Sequence, residues 1–347
     1  MTACINVDWL ALYCMRETQE TIIATYPYSQ NIMEYGTRQY RFLSTILYKG
    51  EEIAYLQYDP YSKILHPLGC IIKFANRLLY SPSCYTRVND CLAMLGLHPQ
   101  SISRLDIAAD FTELLSYGRP EQLIEDFVQQ SVRKVGRARG TLAFRQGKDG
   151  MKYNGITFGT RDSDARVYMY NKSMELREVQ DKPYIRDYWR ACGLNLNKDV
   201  WRIEIAMHAK TLNFANKETG EIRNIEIGNL QSQIVSLFTT MLRSLFKFVI
   251  PDNKNVTRCT KVALLPETFA VDRQVLRNVT GSNRAEKVLI HQLHDIIKKY
   301  RYFQGAKAIE TSANCTTLEW DMVKACDLQE WYRKKAPKWD KVNYKPQ

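Results

Sequence analysis

Runs of apolar and aromatic residues predict a β-rich start to the chain, and residues 1–98 hold eleven of the 21 tyrosines. Three segments have the composition of strands, residues 38–48, 52–58 and 68–76. Lys49-Gly50 supplies a turn between the first two of them. Residues 82–96 follow a helical pattern that closes near Gly96. We therefore expect residues 1–98 either to extend a larger sheet or to form a second, degenerate lobe.

The clearest periodicity lies in residues 99–215, where the predicted elements follow the order β-α-β-β-β-α-β. The strands are residues 102–111, 140–146, 153–160, 165–172 and 200–207, and the helices are residues 119–131 and 173–191. Turn dipeptides at Asp149-Gly150 and Asn154-Gly155 favour a meander of the three middle strands. This order predicts an α+β fold, with a largely antiparallel sheet and helices on one face.

Helical periodicity dominates the C-terminal region, residues 216–347. Its candidate helices are residues 226–249, 282–299 and 317–334. The tail from Tyr332 onward carries six basic residues and one acid, and we expect it to form an extended arm. No apolar run reaches the ~20 uninterrupted residues that a bilayer requires, so no membrane span is expected.

Charge narrows the class of partner. The 347 residues include 49 Lys and Arg against 37 Asp and Glu, a net charge of +12. A basic surface favours a polyanion, of which nucleic acid is the commonest. Between Arg133 and Lys152 there are seven basic residues and one acid, with Arg137 and Arg139 in a glycine-flanked loop. Nine cysteines without a CxxC pair indicate reduced thiols in a cytoplasmic protein, without a zinc site.

Three predicted strands separate charged from apolar residues, because side chains alternate between the two faces of a strand. The polar faces carry Arg104, Asp106, Ala108 and Asp110; Arg166, Tyr168, Tyr170 and Lys172; and Arg202, Glu204 and Ala206. The opposite faces are apolar and are expected beneath helices. If the strands are neighbours, one sheet surface gathers three carboxylates, two tyrosines and several cations.

The three carboxylates suit a divalent cation. Mg²⁺ or Mn²⁺ takes oxygen ligands, and Asp106, Asp110 and Glu204 would supply them. The alternative is a solvated face with ordinary ion pairs, such as Arg104 with Asp106 and Arg202 with Glu204. Three charged faces in one sheet favour the metal site.

The tyrosines raise a second chemistry. A phenol has a pKa near ~10, so it is a poor nucleophile at neutral pH unless its phenolate is stabilised. Lys172 and Arg166 share the face of Tyr168 and Tyr170 and would supply such a field, as would a metal. This combination suits attack on a DNA phosphodiester that leaves a phosphotyrosine bond. The alternative for any one of the 21 tyrosines is simple packing.

Three segments resemble, in order, the motifs of the Rep_trans family. These proteins are the replication initiation factors of rolling-circle plasmids and filamentous phages, with related relaxases in integrative conjugative elements. The segments are RLDIAADF at 104–111, GITFGTRDSDARVYMYNKSME at 155–175 and WRIEIAM at 201–207. The resemblance covers roughly residues 100–210, and the ordered set R-x-D-x-x-x-D, G-x-R-x-S, Y-[DN]-K and R-x-E is more specific than any single motif. It implies a palm-like sheet.

The family's activity implies a DNA strand transferase. A tyrosine nicks one strand at an origin and becomes linked to the 5′-phosphate, the freed 3′-OH primes synthesis, and a second transesterification rejoins the product. The motif tyrosine falls on Tyr170, followed by Lys172, while Tyr168 on the same face keeps a second assignment open. The motif carboxylates fall on Asp106, Asp110 and Glu204.

Basic residues of the same region are the expected DNA contacts. The resemblance places Arg161 and Ser163, at the G-x-R-x-S positions, near the DNA phosphate. The other candidates are Arg104, Arg166, Arg202, Arg137 and Arg139. Because phosphate contacts give affinity and not sequence choice, the C-terminal helices and tail are the candidates for origin recognition.

The sequence therefore predicts a metal-dependent, origin-specific nicking and joining enzyme that starts rolling-circle replication of a phage or plasmid in a bacterial cytoplasm. Its partners would be single-stranded or supercoiled origin DNA, a host helicase and a polymerase, with a homodimer left open. A conjugative relaxase with the same chemistry is one alternative. A non-catalytic module whose tyrosines stack on bases is another, and a metal-dependent nuclease that uses water is a third.

Overall fold

The computed structural model describes residues 2–18, 25–62, 64–136, 141–144, 153–160, 163–215, 222–224, 227–265 and 277–278. The chain divides into two compact units, Met1–Val279 and Thr280–Gln347, and every described residue belongs to the first. Several predicted features lie outside the described residues, namely helices 282–299 and 317–334, the basic tail, Arg137, Arg139 and Arg161.

The described elements are mostly strands, and the α-helices between them range from 4 to 19 residues. The strands are β1 (Ala3–Arg16), β2 (Tyr28–Ile32), β3 (Tyr40–Tyr48), β4 (Glu51–Pro60), β5 (Gly69–Phe74), β6 (Leu97–Phe111), β7 (Arg133–Val135), β8 (Thr141–Phe144), β9 (Gly155–Phe158), β10 (Ala165–Asn171), β11 (Trp201–His208), β12 (Asn213–Ala215), β13 (Ile222–Asn224), β14 (Lys247–Ile250), β15 (Thr260–Val262) and β16 (Arg277–Asn278). The α-helices are α1 (Asn76–Leu79), α2 (Cys84–Met94), α3 (Pro120–Val128), α4 (Lys172–Glu178), α5 (Pro183–Ala191) and α6 (Ile227–Leu245). Two 3₁₀ turns cover Ala209–Leu212 and Val256–Arg258.

One antiparallel sheet of ten strands organises the fold, in the order β2-β3-β4-β5-β1-β6-β11-β10-β9-β8. The central pair, β1 and β6, each begins a half of the sheet. In each half a meander follows, and its last strand, β5 or β11, returns to pair with the first. The N-terminal region thus extends the same sheet by the same chain path as the region after it. The fold is α+β, as the strand pattern predicted.

The local signals in the sequence explain several of these elements. Lys49 and Gly50 both have positive φ, 50° and 84°, which suits the two-residue turn that joins β3 to β4. β1 has no such signal and was not predicted. It lies in the middle of the sheet and is largely buried, so its sequence lacks a regular polar alternation.

Helices cover both faces of the sheet. Helices α2, α3 and α6 pack on the face formed by the apolar residues of β6 and β11, where Ile107, Phe111, Ile203 and Ile205 have no exposed surface. The predicted helix 173–191 is two helices, α4 and α5, and these lie over part of the opposite, charged face, with a small core around Trp189. The charged face is therefore walled on one side.

The predicted boundary at residue 215 does not divide the structure. Helix α6 packs on β1, β6 and β11 and so belongs to the body of the sheet, and the division falls after residue 279. The predicted helix 226–249 ends at Leu245, since Lys247–Ile250 pair as β14 with β7 and β15. None of the described helices is both long and apolar enough to cross a membrane.

An aromatic cluster joins β9 to β14 and α3. The ring of Phe158 lies 5.6 Å from Phe127, 5.1 Å from Phe246 and 5.9 Å from Phe248, all edge to face. Phe158 is fully buried. Rings in such arrangements add to the stabilisation that their burial provides.

Replacing Phe158 by alanine is expected to lower the free energy of unfolding by about 3–5 kcal/mol, because it leaves a cavity within the cluster. Urea denaturation followed by circular dichroism measures this change. The matched control is Phe42→Ala, since Phe42 is 43% exposed and contacts a single ring, that of Tyr58. A Phe158→Ala protein as stable as Phe42→Ala would contradict the packing described here.

Candidate active site

The register of the sheet gathers the predicted residues on one face. β11 pairs with β10 on one side and with β6 on the other, so that Tyr170, Arg202 and Asp110 form a row across three strands. Tyr168 lies opposite Glu204, and Asp106 lies opposite Ala206. The three strands whose charged faces define the predicted site are therefore adjacent.

A cleft of about 930 Å³ opens on this face, and both halves of the sheet contribute to it. The residues that line it include Asp8, Trp9, Lys73, Arg104, Asp106, Tyr170, Lys172, Glu175, Lys182 and Glu204. Tyr168 is not among the residues that line the cleft. The cleft thus distinguishes the two candidate nucleophiles by position.

Asn171 sets the geometry directly after Tyr170. Its side-chain oxygen accepts a hydrogen bond of 2.8 Å from the backbone N–H of Met174, which caps the N-terminus of α4. The chain therefore turns from strand to helix at this residue. As a result, Lys172 and Glu175 lie three positions apart on the first turn of α4 and form an ion pair of 2.8 Å.

Tyr170 is poised against a carboxylate. Its hydroxyl donates a hydrogen bond of 2.9 Å to Oε2 of Glu204, and Nζ of Lys172 lies 3.5 Å from the same hydroxyl. Burial, followed by the negative charge of Glu204, raises the pKa of Tyr170 well above its usual value. The phenol therefore needs a base to lose its proton.

Glu204 has the properties of such a base. Burial, followed by repulsion from Asp8 and from Asp106, raises its pKa to about 7, although Arg202 and Lys172 act in the opposite direction. A carboxylate with a pKa near neutrality holds a proton more strongly than an ordinary glutamate does. Burial likewise lowers the pKa of Lys172, with a further contribution from Arg202.

Tyr168 has a different environment. Arg166 lies over its ring, with Cζ 4.9 Å from the ring centroid. Its pKa is raised by burial, which the neighbouring Arg166 partly offsets. Among the described residues no carboxylate accepts a hydrogen bond from its hydroxyl, so Tyr168 lacks the contact that Tyr170 makes with Glu204.

Arg202 is a buried connector between the two halves of the sheet. It donates to both oxygens of Asp110, at 2.7 and 2.8 Å, and to Oδ1 of Asp8 at 2.6 Å. It also donates to the hydroxyl of Tyr80 at 2.8 Å, while Tyr80 donates to Asp8 at 2.6 Å. The side chain of Arg202 has no exposed surface. The prediction that Arg202 contacts DNA does not fit this position, because protein encloses its guanidinium group on all sides.

Asp110 also departs from its predicted role. Its Oδ2 accepts a third hydrogen bond, of 2.7 Å, from the indole N–H of Trp189 on α5. The carboxylate is 2% exposed. Since its oxygens are already shared among three donor groups, Asp110 holds the fold around the site and does not present a free ligand to a metal.

Asp8 is a residue of the cleft that the sequence pattern missed. On β1, Trp9 lies opposite Asp106 and Val7 opposite Ile107, so Asp8 is the extra residue of a β-bulge. A bulge changes the alternation of a strand and re-aims side chains, and Asp8 and Trp9 both line the cleft. Burial works to raise the pKa of Asp8, but the charges of Arg202 and Lys172 hold it below its usual value. The signal available in the sequence was a single acidic residue in the largely apolar segment ACINVDWLAL, residues 3–12.

The carboxylates that line the cleft are not the set that the sequence predicts as metal ligands. Asp110 is occupied, whereas Asp8, Asp106 and Glu204 all line the cleft and raise the local negative charge. Carboxylate oxygens are the ligands of Mg²⁺ and Mn²⁺, so the chemistry of this set is suitable. Asp106 is also 2% exposed, and both of its oxygens accept hydrogen bonds from Arg104, at 3.0 and 2.6 Å, so a cation would bind it in place of Arg104. No three His, Cys, Asp or Glu residues in the described part of the chain lie close enough together to enclose an ion.

The remaining predicted DNA contacts divide into two groups. Arg104 and Arg166 are partly exposed on or beside the charged face. Ser163 closes a turn, since its Oγ accepts a hydrogen bond of 2.9 Å from the backbone N–H of Thr160. Its hydroxyl also lies 3.1 Å from that of Thr160.

Comparison with known proteins gives little sequence similarity. No family model matches the chain, and no curated protein matches it. Among solved structures, the chain is similar to a rolling circle replication initiator protein from Geobacillus stearothermophilus, with a TM-score of 0.46 and 16% identity. The match covers 81% of this chain and 100% of that protein. A TM-score below 0.5 does not establish a common fold.

Replacing Arg202 by methionine is expected to destabilise the protein by about 3–5 kcal/mol, because it leaves Asp8 and Asp110 as buried, unpaired carboxylates. Urea denaturation at pH 7 measures the loss. The control is Arg190→Met, since Arg190 is 63% exposed and pairs with Asp187 on the surface of α5. That change is expected to cost less than about 0.5 kcal/mol. Equal stabilities of the two variants would show that the Arg202 network does not support the fold.

Proposed function

We propose that this protein is a DNA strand transferase that nicks and rejoins one strand through Tyr170 and thereby starts rolling-circle replication. One observation carries the proposal: the hydroxyl of Tyr170 donates to the buried carboxylate of Glu204, with Lys172 beside it, in an open cleft. The basic charge of the chain and the ordered motifs in residues 104–207 support a DNA substrate.

The reaction begins with transfer of the phenolic proton. Tyr170 passes its proton to Oε2 of Glu204 as its oxygen attacks the phosphorus of a phosphodiester. The bond from phosphorus to the 3′-oxygen breaks, and the new bond joins Tyr170 to the 5′-phosphate. The 3′-oxygen leaves with the electron pair of the broken bond and becomes a hydroxyl by taking one proton from water, which balances the proton that Glu204 now holds. Rejoining is the reverse, with a 3′-hydroxyl as the attacking group.

Lys172 stabilises the charge that develops on the tyrosine oxygen. Its ammonium group lies 3.5 Å from that oxygen and is held on its other side by Glu175 at 2.8 Å. A cation fixed in a dry environment stabilises a developing phenolate without having to reorganise. Lys172 is 4% exposed in its side chain, so this environment excludes most water.

A divalent cation is part of the proposal. Asp8 and Asp106, which both line the cleft, would hold it. When bound, Mg²⁺ or Mn²⁺ would polarise the phosphate and offset its negative charge. Origin DNA, a host helicase and a polymerase are the partners that this function requires.

Tyr170→Phe is expected to abolish a covalent protein–DNA band, because the variant lacks the attacking oxygen. The assay uses single-stranded oligonucleotides tiled from the replicon that encodes the protein, labelled at either end, with Mn²⁺ or with EDTA. The wild type should give a denaturant-stable adduct on the 5′-phosphate side with Mn²⁺. Tyr168→Phe is the matched control and should keep adduct formation within about threefold, since Tyr168 lacks the contact with Glu204.

Other results of this assay would change the proposal in defined ways. Loss of the adduct in Tyr168→Phe alone would move the nucleophile to Tyr168. An adduct that forms equally in EDTA would remove the cation from the mechanism. Cleavage without any adduct would indicate water as the nucleophile, and binding without cleavage of any oligonucleotide would indicate a non-catalytic module.

The rate of adduct formation is expected to rise about tenfold per pH unit up to pH 7 and to level off above it, because Glu204 must be ionised to accept the proton. Single-turnover rates between pH 5.5 and 8.5 measure this profile. Glu204→Gln should lower the rate by about 10²–10⁴-fold and remove the inflection. Glu178→Gln, on the exposed end of α4, is the control and should keep the profile. An unchanged inflection in Glu204→Gln would assign it to another group.

A further inference from the structure

Two cations, Lys73 and Arg104, line the cleft beside Trp9, and we call them the cation wall. Nζ of Lys73, on β5, lies 3.6 Å from the ring centroid of Trp9, and Cζ of Arg104, on β6, lies 4.2 Å from the same centroid. The register explains this arrangement, since Lys73 and Arg104 both lie opposite Ala11, on either side of β1. The indole thus holds both cations in the cleft.

Lys73 differs from Arg104, the other cation of this wall, because it has no ion-pair partner among the described residues. Arg104 is paired with Asp106 at 2.6 Å, whereas no carboxylate in the described part of the chain lies within ion-pair distance of Lys73. Burial lowers the pKa of Lys73, and repulsion from Arg104 and Lys182 lowers it further, although Asp106 acts in the opposite direction. An anion between these groups would relieve that repulsion.

The acids of the cleft that lie nearer the N-terminal rim are already engaged. Glu52 accepts a hydrogen bond of 2.7 Å from the hydroxyl of Tyr55, and Glu51 pairs with Arg77 at 3.4 Å. The cation wall is therefore the part of this half of the cleft whose charge suits an anion. Its composition suits a site for a nucleic-acid phosphate, because the two cations are held in place by an aromatic ring.

The wall lies at a useful distance from the proposed nucleophile. β5 and β11 are separated by β1 and β6, so Lys73 lies three strand spacings, about 14 Å, from the strand of Glu204. A DNA single strand bound at Tyr170 and running across the sheet toward β5 would bring a phosphate to Lys73 within a few nucleotides. The cleft volume of about 930 Å³ suits a short stretch of single strand better than a duplex.

We propose that Lys73, held on Trp9 and flanked by Arg104, binds a backbone phosphate of single-stranded DNA at a position that flanks the bond cut by Tyr170. This subsite rests on the proposed function, since that function supplies the DNA strand. It gives the N-terminal half of the sheet a direct part in substrate binding, in addition to the carboxylate of Asp8.

Lys73→Gln tests the subsite in the full chain, with Tyr170→Phe as the background so that the DNA is not cut. The measurement is the affinity for fluorescein-labelled oligo(dT) of ten nucleotides, by anisotropy, over a range of salt concentrations. We expect affinity to fall about tenfold and the slope of log K against log salt to decrease by about 0.7, the value for one lost phosphate contact on a single strand. Lys73→Arg should keep both values, because it keeps the charge.

Two controls separate this result from a general effect. Lys254→Gln removes an exposed lysine from the loop after β14, away from the cleft, and should leave the slope unchanged. Lys73→Met keeps the contact with Trp9 but not the charge, and should reproduce the loss seen in Lys73→Gln. Melting curves of all the variants establish that they are folded.

The outcomes distinguish the subsite from the proposed function. An unchanged affinity and slope in Lys73→Gln would overturn the subsite, and so would an equal loss on duplex DNA of the same length. Absence of any Tyr170 adduct in the otherwise wild-type chain would instead overturn the strand-transfer function, whatever the Lys73 variants do in binding. A loss confined to the single strand, together with an intact adduct reaction, would support both.

Discussion

The buried guanidinium of Arg202 is the interaction on which the site depends. It donates hydrogen bonds to Asp110 on β6 and to Asp8 on β1. It also donates to Tyr80, directly after α1, and Trp189 on α5 donates to Asp110. A buried ion pair contributes little net stability compared with an apolar core, but it tolerates only one arrangement of its partners. The network therefore fixes the relative position of the two central strands, one from each half of the sheet, and of the helix that walls the cleft.

This arrangement divides the acids of the charged face into two kinds. Asp110 has its hydrogen-bonding capacity satisfied by protein and serves the fold, and the pKa of Asp8 is held below its usual value by Arg202 and Lys172. Glu204 lies beside them without an ion-pair partner among the described residues, and burial together with its acidic neighbours raises its pKa to about 7. Glu204 is costly to ionise and accepts a hydrogen bond from Tyr170, whose proton it would take. Burial of this kind is how proteins raise the pKa of a carboxylate base toward neutral pH.

Much of this site follows from strand alternation. Asp106, Asp110, Tyr170 and Glu204 face one side because their strands keep a period of two, and the antiparallel register of β6, β11 and β10 brings them together. What alternation cannot distinguish is which polar residues are buried. Asp110 and Arg202 were expected at the surface, but α5 covers that end of the sheet and Trp189 closes over it. The helical pattern of α5 gave no information about which face of the sheet it would cover.

The sequence by itself determined the α+β class, the antiparallel meander and the charged face, since each of these depends on local periodicity. The family resemblance left the candidate nucleophile open between Tyr170 and Tyr168. Only the tertiary structure decided that residues 1–98 continue the same sheet and supply Asp8, Trp9 and Lys73 to the cleft. The physical reason is that these contributions come from long-range pairing. β1 meets β6 across about a hundred residues of chain, and the bulge that brings Asp8 to the cleft exists only in that pairing.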